Sequence, residues 1–222
     1  MANRSNENLE SSSESEILQI ANQMIDRLQV SDFRPSSISW AEYLMRNPGT
    51  PRVPVPSVTS VPVGWCTFTW DILYLPPGLR GNLEPEEWRP LITSSLIYAS
   101  KLKRKRALGI IARILGPVFL ESLCLALLFA TWPSIFTGPS LVAFVVGLFL
   151  IIAYGVLVVN PFLRNLRLGA DRLAADILGR ESLLRVLKKI SDLGLNDYSD
   201  GSGRFATRPS LTERMRVLEM SS

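Results

Sequence analysis

The residues that could do chemistry are few, and their types exclude most of the usual options. The 222-residue chain has no histidine and only two cysteines, Cys66 and Cys124. Without imidazole there is no Ser–His or Cys–His nucleophile pair and no neutral-pH proton shuttle. Zinc sites built on His or on clustered Cys are excluded on the same ground, as is a disulfide scaffold. One group of polar residues remains at helical spacing. Ser94, Tyr98 and Lys101 fall at i, i+4 and i+7, so one helix face carries a hydroxyl, a phenol and an amine. A Ser–Lys hydrolase, with Lys101 as base, would use such a face. A solvated polar face would look the same.

The elements that must position these residues follow from charge and hydropathy. Net charge is +4, with a sequence pI near 9.3 and a mean hydropathy of +0.19. Five of the six residues from Lys101 to Arg106 are basic. This run borders an apolar stretch, and no aromatic-interleaved basic motif accompanies it. It therefore reads as a membrane edge, and no nucleic-acid partner is expected. From Ser122 to Leu163 no residue is charged. A membrane helix needs roughly 20 apolar residues, so spans are expected near 110–132 and 139–160. The connection Thr131 to Pro139 contains Pro, Gly and Trp, as a short turn at an interface would. Lys and Arg flank both outer ends, which places the two soluble parts of a two-pass protein on the cytoplasmic side. Glu121 is the one ionisable group expected inside the span: a proton or partner site, or a water-facing carboxyl near the interface. Both cysteines are expected as free thiols.

The soluble parts read as mainly helical with a small β element. Residues 1–16 are polar and Ser/Glu-rich, without a signal-peptide pattern, and are expected to be disordered. Ile17, Leu18, Ala21, Met24, Ile25 and Leu28 predict an amphipathic helix. Residues 31–62 are Pro/Ser-rich and read as extended and irregular. Trp65–Leu75 reads as a strand. A helix is expected from Glu84-Pro85-Glu86-Glu87, with a stripe of Trp88, Leu91, Ile92, Ser95, Leu96, Ala99 and Leu102, and a bend at Pro90. After the membrane, Leu166, Ala170, Leu173, Ala174, Ile177 and Leu178 form one stripe, interrupted at Gly179. Leu183, Val186, Leu187, Ile190 and Leu193 form another, capped by Gly194. Asn196–Gly203 reads as a polar loop, and Ser210–Glu213 as a capping box. The division expected is a tail (1–16), an N-terminal half-domain (17–106), a membrane hairpin (107–160) and a C-terminal half-domain (161–222).

This order of elements resembles the integral-membrane zinc metallopeptidases of the HtpX and CAAX prenyl-protease type. The resemblance covers roughly residues 65–222. It rests on Ile72–Leu75 followed by Leu83–Glu87, on Ala170–Asp176, and on Thr207-Arg208-Pro209-Ser210 with Glu213, Arg214 and Leu218. The N-terminal pair of spans found in HtpX-type members has no counterpart here. In that family a helical HExxH places two imidazoles on one face for zinc, and its Glu polarises the bound water. A later Glu is the third ligand. The alignment sets Ser94 and Tyr98 at the two His positions, Ser95 at the catalytic Glu, Arg167 at the third ligand and Arg208 at the His of a Thr-His-Pro motif. Asp171 and Arg214 are retained. The resemblance thus implies a metallopeptidase-like cytoplasmic domain interrupted by a transmembrane hairpin, with no metal, cofactor or catalytic residue. Its expected role is a pseudoprotease: a binding or regulatory module for a polypeptide or an active relative, in contact with membrane lipid. The alternatives are a membrane-anchored structural or interaction protein unrelated to peptidases, and the Ser–Lys hydrolase. Under the inherited-site reading, Ser94, Tyr98, Arg167 and Asp171 must meet in space.

Overall fold

The computed structural model describes residues 2–41, 61, 63–69, 71–131, 138–195 and 208–220. Among these residues, six α-helices carry a three-stranded mixed sheet: α1 (Ala2–Leu28), β1 (Ser37–Trp40), β2 (Thr67–Phe68), β3 (Ile72–Leu75), α2 (Trp88–Leu96), α3 (Lys103–Thr131), α4 (Gly138–Leu178), α5 (Arg180–Asp192) and α6 (Leu211–Glu219). Most of the Pro-rich stretch, the turn at 132–137, the loop Asn196–Gly203 and Thr207 lie outside the described residues.

The tail expected to be disordered is instead the first half of α1, which begins at Ala2. Residues 2–16 contain neither Pro nor Gly, so nothing in them breaks a helix that the apolar half nucleates. Glu14 ties this stretch down, accepting from Trp40 Nε1 at 2.6 Å and from Arg80 Nη2 at 3.2 Å. The buried stripe of α1 is Ile17, Ile20, Ala21, Met24, Ile25 and Leu28; Leu18 is only partly buried.

The expected single strand over Trp65–Leu75 is a hairpin. Thr69 turns the chain, its N–H donating to the Ile72 carbonyl, and β2 pairs antiparallel with β3. β1, inside the region expected to be irregular, adds in parallel on the other side of β3, giving the order β1-β3-β2. Central β3 is the most buried strand, with Leu73 and Leu75 fully covered.

A 3-10 turn at Pro85–Glu87 precedes α2, and the Glu84 N–H donates to Glu87 Oε2 at 2.7 Å. Pro90 does not bend α2. It lies in the first turn, where its missing N–H has no helical partner to lose. The interruption comes later, as a π-turn over Ile97–Lys101, and α3 follows at Lys103. α4 then runs unbroken through Pro161. Both expected domain boundaries, at 106/107 and 160/161, therefore fall inside continuous helices. Gly179 (φ 88°) separates α4 from α5, and Gly194 (φ 68°) ends α5, as their positions predict. Ser210 caps α6, its Oγ accepting from the Glu213 N–H. Glu213 does not close the capping box; its carboxylate accepts from Arg164 Nε at 2.7 Å.

The core lies where α1, α2, α4 and α5 meet beneath the sheet. Trp88, Leu91, Ile92 and Leu96 share this core with Ala170 and Ala174, and α2 packs on α4. The α4 stripe is rotated from the expected one. Leu173 is 42% exposed, whereas Ala170, Asp171, Ala174 and Ala175 are buried. On α5, Leu193 is likewise 41% exposed.

α3 and α4 pack antiparallel. Gly109 meets Phe162, Ile114 meets Gly155 and Glu121 meets Gly147, so contacts rise along α3 as they fall along α4. Glycine at each contact lets the helices approach closely. One helix among the described residues is long and apolar enough to cross a membrane. Its window is Lys103–Cys124, earlier than the 110–132 expected, and none of it is buried. Leu108, Ile111, Leu115, Phe119 and Leu123 are exposed along it. An apolar surface of this length is far from what a water-facing helix presents.

The rotation of the α4 stripe is checked by two truncations. Leu91→Ala should cost about 2–5 kcal/mol of stability, while Leu173→Ala should stay within about 0.5 kcal/mol. Thermal or denaturant unfolding of the detergent-solubilised chain measures both.

Candidate functional site

Asp171 is fully buried on α4, in a stretch otherwise lined by alanines. A carboxylate there needs a partner for each oxygen. Arg214 of α6 supplies two donors: Nε to Asp171 Oδ2 and Nη2 to Oδ1, each at 2.8 Å. Its third nitrogen, Nη1, donates to the Gly64 carbonyl at 2.9 Å. Ser94 of α2 donates its hydroxyl proton to Asp171 Oδ1 at 2.6 Å. Arg214 is itself only 1% exposed, and its guanidinium lies over the Trp65 ring, 4.1 Å from the centroid. The fork geometry and the aromatic face are what make a buried guanidinium tolerable.

A second cation completes the cluster. Arg167, one helical turn before Asp171 on α4, stands over both Tyr98 (4.9 Å) and Trp65 (5.4 Å). Arg106 approaches Tyr98 at 5.0 Å. Trp65 and Tyr98 meet edge to face, with centroids 6.3 Å apart. Ser95 turns towards the sheet, its Oγ accepting from the Cys66 N–H at 2.9 Å.

The structure therefore brings together Ser94, Tyr98, Arg167, Asp171 and Arg214, which come from segments on both sides of the α3–α4 hairpin. Ser95 borders the cluster through Cys66. Arg208 lies two residues before the α6 cap and is partly exposed. The face shared by Ser94 and Lys101 does not persist. Ser94 is fully buried, while Lys101, displaced by the π-turn, is exposed. Two participants were not found from sequence, Gly64 and Trp65. Gly64 has φ +83°, and a Cβ on it would stand 3.1 Å from Arg214 Nη1. Its only sequence signal is a glycine before an aromatic strand.

The electrostatics oppose a divalent ion. Arg214 already takes both oxygens of Asp171 and brings a fixed positive charge against them. Among the described residues no group of three or more His, Cys, Asp or Glu could hold a metal. Glu121, half-buried, lies against Gly147 in the hairpin, away from this cluster. Cys66 and Cys124 are free thiols, buried and exposed respectively. Burial pushes the Cys66 thiol well above its ordinary value of 9.0, against weaker opposing effects of Ser95 and Arg214.

Arg214→Met leaves a buried charge unpaired and should cost about 3–5 kcal/mol. Asp171→Asn/Arg214→Met should cost clearly less than the sum of its single variants, and a double-mutant cycle reads the coupling. In a Cys124→Ser background, Cys66 should resist alkylation until the chain unfolds. Because its folded-state pKa is raised, the stability it contributes is complete below about pH 9 and declines above it, where the unfolded thiol ionises. Denaturation midpoints between pH 7 and 10 measure this, with Cys66→Ala as the reference.

No family model, no curated protein and no solved structure matches this chain.

Proposed function

We propose that the chain is a catalytically inactive, metallopeptidase-like integral membrane protein that acts as a binding or regulatory module. The observation that carries this reading is the meeting of Ser94, Tyr98, Arg167 and Asp171. These positions align with a zinc site's two imidazoles, its third ligand and a retained acid, and the chain separates them by a long hairpin. The inherited-site reading requires those four to meet.

The chemistry of the replacements supports loss of hydrolysis. Hydroxyl, phenol and guanidinium stand where electron-pair donors would be needed, and a guanidinium has no lone pair to offer. What they form is a cluster of cations on rings, with Arg167 on buried Trp65 and half-buried Tyr98, and Arg106 on Tyr98. In this reading its half-buried rim takes a polypeptide segment, through charge-assisted hydrogen bonds and ring contacts. The Ser–Lys alternative draws no support from the geometry, because the proton of Ser94 is committed to Asp171 and Lys101 is exposed.

In this reading α4 supplies the second membrane arm over residues 139–160, which carry no charge. The protein is two-pass, and Lys/Arg at both outer flanks keeps the soluble parts on the cytoplasmic side.

The test is reversal. Purified wild-type chain should hold far less than one zinc per molecule and should not cleave an unfolded substrate. Ser94→His/Ser95→Glu/Tyr98→His/Arg167→Glu should raise zinc towards one per molecule by elemental analysis. Stoichiometric zinc in the wild type, or chelator-sensitive proteolysis, would sink the inactive-scaffold reading. A folded reversal variant that takes up no zinc would favour the unrelated-protein alternative.

A further inference from the structure

The basic run is sorted by the helix into two sets. Lys103 pairs with Asp32 at 2.9 Å, and Arg106 lies on Tyr98, so these two bind the soluble domain. Lys101, Arg104 and Lys105 point elsewhere, and their side chains are exposed. They line an open groove of about 700 Å³ between the start of α3 and α4, together with Arg113. No acidic residue lines it. Its remaining walls are apolar: Leu108, Gly109 and Phe162.

The inner end of the groove is built. Gly109 leaves the space that the Phe162 ring fills. Arg113 stacks on that ring, 3.8 Å from its centroid, and donates through Nη1 to the Gly109 carbonyl at 3.0 Å. Its charge is thus drawn back towards the basic end of α3, as long cationic side chains do near an interface. Lys101, Arg104 and Lys105 lie at its outer end, and Arg113 joins the apolar walls at its inner end, where the charged run passes into the candidate span.

We propose that this groove is a binding site for an anionic phospholipid, with Lys101, Arg104, Lys105 and Arg113 on the phosphate headgroup and Leu108 and Phe162 against its acyl chain. Charge complementarity selects the anionic headgroup over a zwitterionic one. The apolar wall, continuous with the exposed face of α3, selects a lipid over free phosphate. The proposal rests on membrane insertion of α3.

The experiment uses the full chain in phosphatidylcholine vesicles containing a minor fraction of spin-labelled phosphatidylglycerol or spin-labelled phosphatidylcholine. The wild type should retain the anionic label at least fivefold more strongly. Lys101→Gln/Arg104→Gln/Lys105→Gln should bring the ratio close to one, and Arg104→Gln alone should lower it severalfold. Arg185→Gln/Lys188→Gln, on exposed positions of α5, should leave it unchanged. Equal retention of both labels overturns the site, as does an equal loss in the α5 variant. Displacement of the label by millimolar inorganic phosphate at constant ionic strength also overturns it, because the ligand would then be free phosphate. Release of the wild type from the vesicles by alkaline carbonate would overturn membrane insertion itself. Retention in the bilayer without lipid preference overturns the groove alone.

Discussion

One buried ion pair constrains the rest of this molecule. Taking a carboxylate and a guanidinium out of water costs several kcal/mol for each ion, and only close geometry with further hydrogen bonds offsets it. Asp171 and Arg214 meet that requirement with two parallel contacts, a third donor on the Gly64 carbonyl, a hydroxyl from Ser94 and the face of Trp65. Each partner comes from a different part of the chain. The pair therefore fixes the turn before β2, the middle of α2, the end of α4 and the first turns of α6 relative to one another. Without it, the N-terminal and C-terminal parts would be joined by apolar surfaces and by partly exposed contacts such as Lys189 to Glu87, which set proximity more than register.

The same pair sets what the cluster can do. Both oxygens of Asp171 are taken by Arg214 and one also by Ser94, so the acid offers a dication no open ligand atom. Arg167 stands over Tyr98 and Trp65, where the ring faces attract its charge.

Much of the helical architecture was legible in the sequence, because period and punctuation agree. Gly179 and Gly194 mark helix ends through their positive φ, and Ser210 marks a helix start. The stripes of α1, α2 and α5 follow apolar spacing closely. The errors have physical sources. A polar Ser/Glu segment resembles disorder in composition, yet Glu14 reaches Trp40 and Arg80 only after the fold brings them near. The α4 stripe was misplaced because periodicity counts Leu173 as core and Asp171 as surface. The ion pair reverses both. The π-turn at Ile97–Lys101 leaves no composition signal, yet it turns Lys101 away from Ser94 and into the groove. The candidate site was legible as a list of positions through the resemblance. Its partners Gly64 and Trp65 were not, since their role depends on a contact across 150 positions of sequence.

Continuity between the α3–α4 hairpin and the cluster follows from the helices themselves. α4 carries residues 139–160 and, with no linker, Arg167 and Asp171. α3 leaves the π-turn that holds Tyr98 and Lys101 and enters the apolar window within a few residues. α3 and α4 touch at Gly109, Gly147 and Gly155, each against a side chain of the other helix: Phe162, Glu121 and Ile114. Phe162 and Arg167 share α4, about one and a half turns apart. Pro161 is the position at which that helix bends most readily, having no N–H for the helical ladder.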